Sequence, residues 1–189
     1  MNPTSFHEAA HAVTAVILGM SEVQAVVEQR KSETGIPING ETVCSFFLLP
    51  GEAPQSMLRR RIAVTFAGPA WETHSGFRPR SFHMRAQKAD CIKAKEIIRL
   101  ARAGCGLKRA ALAAWLEEAW QDAEKIVKTE FDAILAVAEA LDEQKTLDDA
   151  TIRGIMRDVG RDFPPPEAVA PPELNGPYCA PQKSITVGG

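Results

Sequence analysis

The sequence predicts a mainly α (α+β) fold with a small β-sheet inserted after the first helix. Segments rich in Ala, Leu and Glu, with apolar residues at helical spacing, fill most of the first 160 positions. Only two runs, 22–28 and 41–49, carry the β-branched and aromatic enrichment of strands, and both precede the second helical segment. At 189 residues, 45% hydrophobic and 24% charged, the chain is long enough for one domain with a real core.

The first helix runs from Asn2, a good N-cap, through Pro3 at the first helical position to Leu18, and Gly19 stops it. The strands EVQAVVE and ETVCSFFLL follow, separated by a polar loop at 31–40 with two Gly and one Pro. Pro54 opens a helix over 55–74 with Leu58, Ile62, Thr65 and Phe66 near one face; Gly68-Pro69 should kink or shorten it. A loop at 75–81 leads to a helix over about 84–103, broken at Gly104-Cys105-Gly106. Residues 108–143 read as one long helix or two stacked ones, with Trp115, Trp120, Phe131, Ile134, Leu135 and Leu141 spaced for burial. A short final helix restarts at 146–149 and ends near Val159. Residues 161–189 hold seven of the 13 prolines and little apolar content, so this stretch reads as a disordered tail following a domain at 1–160.

Charge narrows the partners. A net charge of -2 argues against nucleic acid. The charge is uneven: residues 51–110 hold 13 Lys/Arg against 4 Asp/Glu, and residues 111–149 hold 3 against 11. Helices of opposite sign packed side by side account for that split, with Arg59-Arg60-Arg61 as the solvated start of one of them. The longest apolar stretches, 9–20 and 43–49, fall short of the ~20 residues of a membrane span, and no signal peptide opens the sequence, so a cytoplasmic protein is expected. Cys44, Cys91, Cys105 and Cys179 lack CxxC spacing and read as reduced thiols.

The chemistry is concentrated at His7-Glu8-Ala9-Ala10-His11. On a helix, residues four apart share a face, so both imidazoles can reach one metal ion while Glu8 is aimed at a metal-bound water as general base. That is the core of a zinc-dependent hydrolase, which needs a third protein ligand and an open fourth position. Ser5 and Glu8 also fit a capping box, a structural role that would tie the carboxylate to the backbone. For the third ligand the chain offers His74, His83, Glu72 and Asp90, and spacing alone does not choose among them.

Four blocks in order resemble the peptidase domain of the FtsH-type AAA zinc proteases. Phe6-His7-Glu8-Ala9-Ala10-His11-Ala12-Val13 is similar to that family's HEAGHA helix. Residues 61–72, ending Gly68-Pro69-Ala70-Trp71-Glu72, resemble its I-x-x-x-L-A/G-G-R-A-A-E-E segment. Ala89-Asp90-Cys91-Ile92-Lys93-Ala94 resembles the helix whose Asp is the third zinc ligand. Ala138 to Leu147 resembles the late A-x-x-L-L-x-x-E-T-L element. The resemblance implies a helical zinc metallopeptidase domain over 1–160, with His7, His11 and Asp90 as Zn2+ ligands, Glu8 as catalytic base and Glu72 in a supporting position. It also implies peptide or unfolded-protein substrates, with a separate ATPase or a homo-oligomeric ring as the partner. The departures are Ala10 for the usual Gly, Pro69 for the usual Arg, and the lack of any G-x-x-x-x-G-K-[ST] or membrane anchor. Two other expectations stand beside it: a catalytically weak or inactive module that keeps the scaffold and binds a protein partner, and a helical interaction protein in which HEAAH is accidental.

Overall fold

The computed structural model describes residues 2–27, 30–31, 37–38, 40–47, 49, 51–80, 89–105, 109–163 and 185–188. Six helices among them carry the fold: α1 (Pro3–Ile17), α2 (Pro54–His74), α3 (Ala89–Cys105), α4 (Arg109–Thr129), α5 (Phe131–Gln144) and α6 (Asp149–Asp158). The strands are β1 (Ser21–Val26), β2 (Arg30–Lys31), β3 (Pro37–Ile38), β4 (Glu41–Ser45), β5 (Thr146–Leu147) and β6 (Ile185–Gly188). The mainly α class with a small sheet after the first helix is as expected.

Helix α1 is the centre of the molecule. The Asn2 side chain accepts from the Thr4 N–H, and Pro3 occupies the first turn, where its missing N–H costs nothing. At the other end Gly19 takes φ +71°, the Gly19 N–H bonds to Val16 O, and the Met20 N–H bonds to Ala15 O. Those two bonds form a Schellman stop, with Met20 buried behind it. Between these caps Ala9, Ala10, Ala12, Val13, Ala15 and Val16 are at most 1% exposed, because α1 is covered by α2, α5 and the sheet.

The four-stranded sheet has the order β5-β1-β4-β6, every pair antiparallel. Val26 lies opposite Glu41, Ala25 opposite Thr42 and Gln24 opposite Val43, and an irregularity between Ser21 and Gln24 carries Glu22 at φ 53°. Short strands β2 and β3 pair within what the sequence suggests is a plain loop. Of the predicted tail, residues 164–184 and 189 lie outside the described residues, and Ile185–Gly188 is a strand on the edge of β4 where no strand is expected.

Other differences have physical causes. Helix α2 is neither shortened nor broken at Pro69 but continues to His74. Beyond the proline, Ala70, Trp71 and Glu72 are buried, and the Trp71 ring stacks on Phe6 of α1 at 4.8 Å, so packing outweighs the lost backbone bond. The 108–143 helix divides at Glu130 into α4 and α5. Trp120, Ile134 and Leu141 are core residues, Trp115 and Leu135 are partly buried, and Phe131 is 40% exposed. Of Arg59-Arg60-Arg61 only Arg59 is solvated as expected: Arg60 binds Glu52 and donates to the carbonyls of Leu18 and Phe47, while Arg61 is buried over the Phe46 ring. The opposite charges of the two segments do meet. Arg59 bridges Glu118 and Asp122, and Arg80 binds Glu117. Among the described residues no helix is long and apolar enough to cross a membrane.

Candidate metal centre

The i and i+4 positions of α1 put the His7 and His11 imidazoles edge to face, with centroids 4.7 Å apart. Their Nε2 atoms are 3.1 Å apart. Asp90, in the first turn of α3, closes the group: one carboxylate oxygen is 3.2 Å from His7 Nε2 and the other 3.8 Å from His11 Nε2. All three side chains are buried, His11 completely and Asp90 at 1% exposure. They form a group able to hold a metal ion, with its ligand atoms within 4.8 Å of one another.

Two tests of fit favour a cation there. Ligand atoms about 2.0–2.1 Å from a tetrahedral zinc lie roughly 3.3 Å apart, close to the spacings found here. With both imidazoles neutral, the donor set turns only lone pairs inward. His11 Nδ1 donates to Val64 O at 2.7 Å, and His7 Nδ1 donates to Glu72 Oε1 at 2.9 Å, which turns both Nε2 atoms toward Asp90. Asp90 Oδ1 has no hydrogen-bond partner although it is buried.

The same contacts move the ionisation of the three groups. Burial alone would pull the His7 pKa down, but the hydrogen bonds to Asp90 and Glu72 outweigh it and raise it to about 10. His11 lacks such help, and burial takes it down to about 4. Burial opposes the Asp90 charge as well, yet the His7 hydrogen bond and the neighbouring His11, His7 and Lys93 charges hold its pKa below the ordinary range.

Glu8 lies beside the triad and is fully buried. Its Oε2 accepts from the Thr42 hydroxyl at 2.8 Å, while Oε1 has no hydrogen-bond partner. Burial pushes the Glu8 pKa up to about 7, against the opposing pull of His7 and Thr42. The capping-box alternative is not realised: Asn2 caps the helix, and Ser5 donates to Asp142 of α5. Glu72 sits on the far side of His7, with Arg78 3.6 Å from its other oxygen, and so orients the imidazole from the edge away from Asp90. His74 is exposed and packs near Phe131; His83 lies outside the described residues.

Two residues of the site escape sequence reading. Thr42 is an ordinary strand residue until β4 is laid against α1. Gly68 is the backbone roof of the site: a Cβ there would lie 2.5 Å from His7 Nε2 and 2.6 Å from His11 Nε2. One signal for it was present, since Gly inside a helix costs about 1 kcal/mol relative to Ala and needs a packing or functional reason. No protein-family model matches the chain, and no curated protein matches it.

Proposed function

We propose that this protein is a zinc metallopeptidase that hydrolyses peptide bonds in extended or unfolded protein substrates. Convergence of His7 Nε2, His11 Nε2 and Asp90 beside a carboxylate with one uncommitted oxygen carries the reading. Two imidazoles and one carboxylate with open positions also suit iron oxygen chemistry, but Glu8 is what a hydrolase requires and an oxygenase does not. When bound, zinc supplies Lewis acidity that acidifies water and polarises a carbonyl. The remaining work belongs to this chain's residues. Thr42 anchors Glu8 Oε2, so Oε1 is the atom that takes the nucleophile's proton and returns it to the leaving amine. Glu72 and Val64 O fix the two ring orientations.

The order of the blocks resembling FtsH-type peptidase domains supports the same assignment, as does the placement of Asp90. A separate ATPase or a ring of copies would then deliver unfolded substrate, and the buried thiols Cys44 and Cys91 suit a reducing cytoplasm. The test has two parts. Purified protein should carry about one zinc per chain, lost in His11→Ala. Glu8→Gln should keep the zinc and lose cleavage of an unfolded substrate; wild type as inert as Glu8→Gln on every substrate would end the peptidase reading. One feature favours the second reading, a peptidase-like module that binds a partner without cutting it: Glu8 and His11 have no exposed surface.

A further inference from the structure

The strand β6 lies where a substrate peptide would be expected. It pairs antiparallel with β4, placing Gly188 opposite Glu41, Val187 opposite Thr42, Thr186 opposite Val43 and Ile185 opposite Cys44. Thr42, at the middle of that ladder, is the residue whose hydroxyl holds Glu8. β6 also approaches α3, the helix that carries Asp90. The segment therefore touches both the strand that anchors the base and the helix that supplies the carboxylate ligand. Without it, β4 would present an unpaired edge of N–H and C=O groups beside the site, which is the template an extended peptide uses in strand addition.

We propose that Ile185–Gly188 is a built-in competitor for the peptide-binding edge of β4, so that an extended peptide pairs with Glu41–Cys44 only when this strand leaves. The proposal rests on the peptidase reading for its consequence in catalysis, but not for the binding it describes. Its recognition is main-chain hydrogen bonding, which explains how a segment this small, ending in Gly188, can occupy the edge. A docked strand lowers the apparent affinity for peptides by the fraction of molecules in which the edge is open. If that fraction is about one in ten, peptide binding weakens about tenfold.

The test compares the full chain with the full chain carrying Thr186→Pro and Val187→Pro. Successive N–H groups in a strand point to opposite sides, so adjacent prolines remove one ladder bond whichever of them faces β4. The probe is a fluorescent peptide with the sequence of residues 181–189, followed by anisotropy, with amide exchange at Glu41–Cys44 measured in parallel. The proline variant should bind the probe about tenfold more tightly than wild type, lose amide protection at those residues of Glu41–Cys44 whose N–H faces β6 and not β1, and cut an unstructured peptide with about tenfold lower KM and unchanged kcat. Equal probe binding by the two forms overturns the proposal. So does loss of the cooperative fold in the variant, which would make β6 a structural member of the sheet. Tighter probe binding without cleavage by either form keeps the proposal and removes the peptidase reading. Cleavage with the same KM in both forms, and no gain in probe binding, does the reverse.

Discussion

Helix α2 supports two clusters of ionisable side chains that behave in opposite ways. Near its C-terminal end Glu72 joins His7, Asp90 and Glu8 in a buried group; near its start Arg59 meets Glu118 and Asp122 across the α2–α4 surface, with all three side chains 38–46% exposed. The distances are similar, yet in the buried cluster water does not screen the groups, and the His7 pKa is raised to about 10 while burial takes His11 down to about 4. Position in the fold, not the ion pair itself, separates a reactive group from a solvated one.

The largest effect should come from Gly68→Ala. A methyl group 2.5 Å from His7 Nε2 and 2.6 Å from His11 Nε2 occupies the space in which the two rings converge. Zinc content should fall to near zero by atomic emission, while overpacking costs about 1–3 kcal/mol in a denaturant melt. Full zinc occupancy in that variant would show that the metal, if any, sits elsewhere. An equivalent Gly→Ala change at Gly154, where an added Cβ meets nothing within 4 Å, should leave zinc content unchanged.

Next in size is Glu72→Gln, which keeps the shape but weakens the acceptor for His7 Nδ1. Loss of such an orienting partner lowers metal affinity about 10–100-fold, measurable by competition with a chromophoric chelator. Unchanged affinity would reduce Glu72 to packing against Arg78.

A smaller, graded effect is expected with pH. His7 is protonated in the metal-free protein up to about pH 10, and that proton must leave before Nε2 can ligate, whereas His11, at about 4, is already neutral. Between pH 8 and 9, where Glu8 is ionised with or without metal, one proton should be released per ion bound. Apparent affinity should then rise about tenfold per pH unit. The sign for stability of the metal-free fold follows from the raised His7 pKa: this contribution is fully present below about 6.5 and is lost as pH rises through about 10. A slope of two protons would mean that both histidines are charged in the metal-free form.

How much of this was legible in the sequence depends on how local each cause is. The span of α1 could be read because Asn2-Pro3 and Gly19 act within a turn of their own positions, and the two histidines because i,i+4 spacing is a property of any helix. Asp90 follows from the ordered blocks of resemblance and not from spacing, since 82 residues separate it from Glu8. What stayed hidden was non-local. Arg60 looks solvated in a run of three arginines, but the fold brings it to the C-terminal carbonyl of α1 at Leu18, where a cation is favoured. Pro69 looks like a break, but Phe6 waits across the interface to stack on Trp71. Ile185–Gly188 has too few residues to signal a strand until β4 offers it an edge.

The exposed cluster should give the smallest response, and that is its use as a control. Arg59→Ala removes two ion pairs at 2.8 and 2.7 Å, a loss that would be severe inside the protein. Here water solvates the guanidinium and both carboxylates in the folded and unfolded states alike, so the pairs gain little on folding. The expected cost is at most about 1 kcal/mol, shrinking further as salt rises from 0.1 to about 1 M and the Debye length falls to about 3 Å. Zinc content should not change, because the ion pairs of Arg59 join α2 to α4 and include none of the residues of the candidate metal centre. A loss of several kcal/mol that persists in high salt would mean that the α2–α4 contact is held by its charges, and not by the Phe66–Trp120 packing beneath them.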